Sequence, residues 1–208
     1  MDTDKSALHA LRTLVIAALV MLPAGAFAKG SKETKEAVIQ CTKVTNLIEL
    51  KIKQGSNDVD GNPGEAGLKI LWLHRMSNFA TENYNAYAVF LGSFQQGGTL
   101  IRFKNPITNN YEDLIRDNPY DGERHIRSVA FAHGRCNGRV AFFLVTATKN
   151  PQSGPADAGK VTFEIFDIKT DDFGFDAWFE RISTKTSEQA YGSSEDALVK
   201  EYGFSMGR

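Results

Sequence analysis

Few residues in this chain have the type and spacing that chemistry requires. Asp58, Asp60 and Asn62 fall at alternate positions of one turn-rich run, the spacing by which a calcium loop converges oxygens on a hard cation. The rest of that pattern is broken. Pro63 stands where the loop needs glycine, and Lys69 stands where it needs a bidentate Glu; Glu65 would be an oxygen from an unusual position. A solvated polar turn therefore competes with a calcium site, and no other cofactor is expected. Of four histidines, His9 lies in the first 28 residues, leaving His74, His125 and His133. His125 and His133 are eight apart on one expected strand, about 26 Å at strand rise, so they cannot share a metal. Each remains a candidate acid or base, with Asp121 or Glu123 nearby in sequence. There is no Gly-x-Ser-x-Gly elbow, Ser-x-x-Lys motif or glycine-rich phosphate cradle, and Ser153 lies in a Pro-rich loop without a recognisable base. No catalytic residue is assigned, and binding is the simpler expectation.

The two cysteines, Cys41 and Cys136, admit one intramolecular disulfide; two separate buried thiols are the alternative. The bridge is favoured by the opening residues, which read as a secretory signal. Lys5 and Arg12 precede an uncharged apolar run from Leu14 to Leu22, and Pro23 and Gly25 lead into Ala26-Phe27-Ala28. Small residues at the first and third places before the cut put cleavage after Ala28. The apolar run is well short of the roughly 20 residues that span a bilayer, so an integral membrane protein is not expected. Export to the periplasm places both thiols in an oxidising compartment.

Removing 28 of the 208 residues leaves 180, enough for one domain with a real core. Residues 29–36 form a polar leader, and a single mainly β domain is expected over 37–208. The net charge of −1 offers no electrostatic footprint for nucleic acid.

The elements that must position these groups are mostly strands. Val44–Ile52, Leu68–Leu73, Tyr84–Phe94, Thr99–Phe103, His125–Ala132, Arg139–Thr148, Lys160–Lys169 and Phe173–Ile182 carry aromatic, branched or alternating patterns. Gly55 to Gly67 reads as a loop throughout, and Asn137-Gly138 as a hairpin turn. Two short helices are expected, one over 110–117 with an Asn cap and one beginning at a Ser194 cap and stopping near Gly203. Together these predict an antiparallel β-sandwich or meander with one or two short helices. The aromatic residues are mainly core, but Trp72, His74, Tyr84 and Tyr87 are the candidate binding surface.

One further pattern runs in order through much of the chain. The run Leu71-Trp72-Leu73-His74-Arg75-Met76-Ser77-Asn78-Phe79, then Tyr84-Asn85-Ala86-Tyr87-Ala88-Val89-Phe90, and later Lys160-Val161-Thr162-Phe163-Glu164-Ile165-Phe166 with the aromatics around Trp178, resembles the CarG-like carbapenem self-resistance family. The resemblance implies a periplasmic, mainly β protein that protects without β-lactamase chemistry. It supplies no catalytic residues. The resulting expectation is a noncatalytic periplasmic binding or protective protein. A hydrolase using His125 or His133 and an envelope interaction module are the alternatives. A small molecule or a cell-wall component would be the partner, and a homo-oligomer stays open.

Overall fold

The computed structural model describes residues 41–59, 67–75, 84–93, 97–106, 108–117, 127–151, 156–172 and 176–206. Asp60, Asn62, His125, Asp121, Glu123 and the whole export segment lie outside the described residues. Among the described residues, eleven strands form one sheet. They are β1 (Val44–Glu49), β2 (Gly55–Val59), β3 (Leu68–Arg75), β4 (Tyr84–Ser93), β5 (Gly97–Lys104), β6 (Tyr111–Glu112), β7 (Ile115–Arg116), β8 (Arg127–Cys136), β9 (Arg139–Pro151), β10 (Gly159–Thr170) and β11 (Ala177–Tyr191), followed by helix α1 (Ser194–Tyr202). The spatial order is β1-β8-β9-β10-β11-β5-β4-β3-β2, with β6 on β5 and β7 on β4.

The mainly β class holds, but the two-sheet sandwich does not. Strand β11 pairs with β5 in parallel, Ala177 to Phe179 against Ile101 to Phe103, and this joins the meander β8 to β11 to the meander β2 to β5. The combined mixed sheet curls into a half-barrel over its own concave face. That face holds the main core, where Ile70 of β3, Val89 of β4 and Phe103 of β5 meet Phe131 of β8, Leu144 of β9 and Phe166 of β10. Rings from non-adjacent strands tie it together: Tyr87 and Phe131 meet edge to face at 5.4 Å between centroids.

A second core lies on the convex face, under α1. Here β8 and β9 present Ala130, Ala132, Val145 and Ala147, and Leu198 and Phe204 come down on them. The apolar run of β8 is buried on both faces for this reason, and small residues sit where the helix must approach. Ser193, not Ser194, caps the helix, its hydroxyl accepting from the Asp196 N–H at 3.0 Å. Ser194 is buried and bonds the Ser128 hydroxyl at 2.8 Å, which takes it away from capping. Gly203 ends the helix as expected, with φ +71° and its N–H donating to Val199.

Two local expectations fail. Gly55–Val59 is an edge strand, not a loop: the Asn57 side chain accepts from Lys53 N–H and donates to Lys53, Gly55 and Ile70 carbonyls, and Val59 is buried. Turn-forming side chains thus satisfy the unpaired backbone of an edge. Residues 110–117 form β6 and β7 and no helix, because Tyr111 and Glu112 pair with Lys104 and Phe103 while Ile115 buries opposite Tyr87. An isolated two-turn helix is marginal, and sheet pairing wins. The Asn137-Gly138 turn forms with φ of 49° and 89°. Strand β11 runs well beyond Ile182, because Ser187, buried in its polar half, accepts the Val161 N–H at 2.9 Å.

Cys41 and Cys136 are joined, with Cα atoms 5.4 Å apart and 95 positions of separation. The bridge packs on Phe143 and Ile165. Among the described residues, no helix is long and apolar enough to cross a membrane.

Candidate functional site

Alternation along two neighbouring strands builds the site. Leu68, Ile70, Trp72 and His74 share one face of β3, and their register partners Leu91, Val89, Tyr87 and Asn85 share that face of β4. Read from the core outward, the face changes from aliphatic to aromatic to polar. Trp72 and Tyr87 are neighbours at 6.0 Å between centroids. At the rim, Asn85 is the node: its Oδ1 accepts from the Trp72 indole N–H at 3.0 Å and from His74 Nδ1 at 2.8 Å. Since an amide oxygen only accepts, His74 carries its proton on Nδ1. Asn85 also donates from Nδ2 to Asp117 Oδ2 at 2.6 Å, and its backbone N–H donates to Oδ1 at 2.7 Å. Asp117, just past β7, is thereby fixed in a buried position.

This rim faces a gap in the half-barrel. Strand β1 pairs with β8 only from Ala132 to Cys136, and the Leu50 N–H adds a bond to the Phe131 carbonyl. The first half of β8 therefore looks across to β4 and β7. A cavity of about 90 Å³ occupies the gap, walled by Trp72, Tyr87, Asn85, Asp117, Phe131 and Glu195. Glu49 closes one side; its carboxylate accepts from the Ser205 N–H at 2.7 Å, the Ser205 hydroxyl at 2.9 Å and Lys51 at 3.0 Å. Burial pushes the Glu49 carboxyl up, but those hydrogen bonds outweigh it and hold the group below the ordinary carboxylate value. The Tyr87 phenol is pushed well up, first by burial and then by the Asp117 and Glu195 charges. It is a neutral hydroxyl and no base. The arrangement sets hydrogen-bonding side chains and carboxylates beside the Trp72, Tyr87 and Phe131 rings.

The structure brings Trp72, His74 and Tyr87 together and separates Tyr84 from them. Tyr84 is an odd number of residues from Tyr87, so it lies on the other face, with Arg75 and Arg116 over its ring at 5.4 and 5.3 Å. Of the calcium-like set, Asp58 sits on β2 and ion-pairs with its register partner Lys69; Asp60 and Asn62 lie outside the described residues. Among the described residues no three His, Cys, Asp or Glu side chains converge as metal ligands. His133 does not line this cavity but an open groove of about 450 Å³ with Lys51, Lys53, Asn57 and Asp58, its ring 6.3 Å from that of Phe142. His125 lies outside the described residues.

Sequence reasoning missed Asn85, Asp117, Glu49 and Glu195. Asn85 had a signal, being two residues before Tyr87 and thus on its face. The three acids had none, because each arrives from a different element.

No family model matches the sequence, and no curated protein matches it. A solved crystal structure of CarG does match: the two superpose with a TM-score of 0.57 at 20% identity, over 73% of this chain and 94% of CarG. The fold is CarG-like. At this identity the likeness is one of architecture. It agrees with the expectation drawn from the Trp72 and Tyr87 segments, which here form the β3–β4 pair beside the cavity.

Proposed function

We propose that this protein is exported, loses its first 28 residues, and acts in the periplasm as a noncatalytic binding or protective protein, in the role that the CarG resemblance implies. The observation carrying this reading is the CarG-like fold, which spans 94% of CarG. The Cys41–Cys136 bridge supports it, since structural disulfides belong to oxidising compartments. The cavity bears on how protection would work. At about 90 Å³ it is far below the roughly 300 to 1,000 Å³ that encloses a drug-sized ligand. Holding one group of a cell-wall component, or shielding an envelope target, fits that volume better than enclosing a whole antibiotic.

The test is expression with the native signal in a carbapenem-sensitive host, joined to calorimetry of the purified protein with a carbapenem and with cell-wall fragments. Raised tolerance without loss of the antibiotic from the medium, or saturable heat with either ligand, is expected. Multiple-turnover hydrolysis of either ligand, or a protein recovered from the cytosol still beginning at Met1, would overturn the proposal.

A further inference from the structure

Three buried side-chain atoms have no hydrogen-bond partner among the described residues: Thr146 Oγ1, Arg102 Nε and Trp178 Nε1. Thr146 is fully enclosed in β9, but the other two sit on opposed residues, since Trp178 of β11 is the register partner of Arg102 of β5. Both alternate with core residues, Ala177 and Phe179 on one strand and Ile101 and Phe103 on the other, so both side chains lie on the face turned away from the main core. Two N–H donors left unpaired on neighbouring side chains are costly, and a buried indole N–H ordinarily finds an acceptor. What this face lacks is an acceptor oxygen.

The charges there are already matched. Arg102 pairs with Asp176 at 2.8 Å through Nη2, Lys104 with Glu180 at 3.1 Å, and Lys169, the other register partner of Trp178, with Asp167 at 3.1 Å. A further anion would be held near three carboxylates, and a further cation would bring no acceptor. A neutral carbonyl oxygen has two lone pairs and can take both N–H groups. Tyr111 of β6 completes the site. Its ring lies against the Arg102 guanidinium at 4.5 Å and meets Trp178 edge to face at 6.1 Å, and it is 43% exposed. Because β6 is only two residues long, this ring is the surface piece that can turn aside from the two donors.

We propose that this outer face binds the acetamido group of a cell-wall glycan. The Tyr111 ring turns aside, the acetamido oxygen accepts from Trp178 Nε1 and Arg102 Nε, and the CH face of the sugar lies against the Trp178 ring. An acetamido sugar supplies a neutral acceptor and an apolar face in one unit, whereas a plain sugar offers only hydroxyls and ring oxygens. This deepens the binding reading above, on which it rests in taking a cell-wall component as ligand, and it puts that ligand on the opposite face of the sheet from the cavity beside Trp72.

The probe is the trimer of N-acetylglucosamine. Cellotriose is the control that keeps the sugar backbone without acetamido groups, and N-acetylalanine methylamide is a peptide-like amide. The chain has two tryptophans, so Trp178→Phe assigns their indole N–H resonances. With the trimer, the Trp178 resonance should move downfield and saturate as an unbonded N–H gains an acceptor, while that of Trp72, already bonded to Asn85, should stay in place. Neither control should reproduce the shift. Arg102→Lys keeps a charge opposite Asp176 but removes Nε–H, and it should weaken binding about 5-fold, as should Trp178→Phe measured by calorimetry, each for the loss of one hydrogen bond. Tyr111→Ala should speed exchange of the Trp178 indole hydrogen with solvent, and unchanged exchange would refute its part as the cover. No saturable Trp178 shift up to ~50 mM trimer, an equal response to cellotriose, or undiminished binding in both donor variants would overturn the inference. An equal response to the peptide-like amide would overturn the glycan assignment. Cell-wall fragments that bind in calorimetry while moving only the Trp72 resonance would sink this site and leave the wider binding role standing; the trimer bound as described in a protein that gives its host no protection would uphold the site and sink the protective role.

Discussion

Removing the Cys41–Cys136 bridge gives the most direct measure of how this fold is held. The bridge closes a loop of 95 positions between the first described residue and the end of β8. In the chain-entropy model a loop of that length restricts the unfolded ensemble by about 4 to 5 kcal/mol. The native state should survive without it, because β1 still pairs with β8, Val44 to Glu49 against Cys136 to Ala132, and Asn137 still bonds Thr42 and Lys43. A Cys41→Ala/Cys136→Ala variant is therefore expected to fold with the same circular dichroism spectrum and to lose most of that energy. For a domain of this size each kcal/mol moves the Tm by roughly 2 to 4 °C, so the transition should fall by about 8 to 20 °C. Urea unfolding of the wild type with and without reductant should show the same loss, with the variant insensitive to reductant. Equal stability of variant and wild type would refute the reasoning, as would two titratable thiols in protein purified from the periplasm.

Other perturbations test the site and its supports. Asn85→Ala strips partners from Asp117, Trp72 and His74 together, so it should cost about 2 to 4 kcal/mol; Trp72 emission should shift to longer wavelength, and an unchanged spectrum would count against the node. Burial pushes the Glu49 carboxyl up, but the bonds from Ser205 and Lys51 hold it below the ordinary carboxylate value in the folded protein, so its contribution is present above the unfolded value and is lost as pH falls through the folded one. Glu49→Gln should therefore flatten the acid limb of stability against pH below about 5, and equal slopes in urea titrations would contradict this. Ser193→Ala should cost about 1 kcal/mol and Ser193→Gly only a few tenths, the signature of a cap, checked by amide exchange in the first turn of α1. At Gly134 an added Cβ would meet Leu47 at 3.0 Å and Phe143 at 3.1 Å, so Gly134→Ala should cost about 1 to 3 kcal/mol by overpacking under β1, measured by thermal unfolding.

The resemblance of the Trp72 and Tyr87 segments pointed to a fold that the superposition with CarG supports, although no family model matches. The failures are equally informative. Residues 110–117 carry a credible cap and inward-facing apolar pair, yet Glu112 and Ile115 find strand partners in β5 and β4. Gly55 to Val59 is made of turn formers, yet Asn57 converts them into an edge. In both cases the deciding partner is remote in sequence, and local propensity is only a weak prior against it.

The amino-acid sequence by itself determined the strand-rich class, most of the long strands, the Asn137-Gly138 turn, the Gly203 stop and the single available cysteine pair. Those are local matters: side-chain alternation, positive φ and simple counting settle them within a few residues. Tertiary structure alone decided that β11 lies parallel to β5, that the sheet curls instead of splitting into a sandwich, and that Glu49, Asp117 and Glu195 meet around Tyr87. These depend on which distant edges pair and which faces close over one another. No window of sequence contains that information, because the free energy that fixes it comes from burying surfaces far apart in the chain.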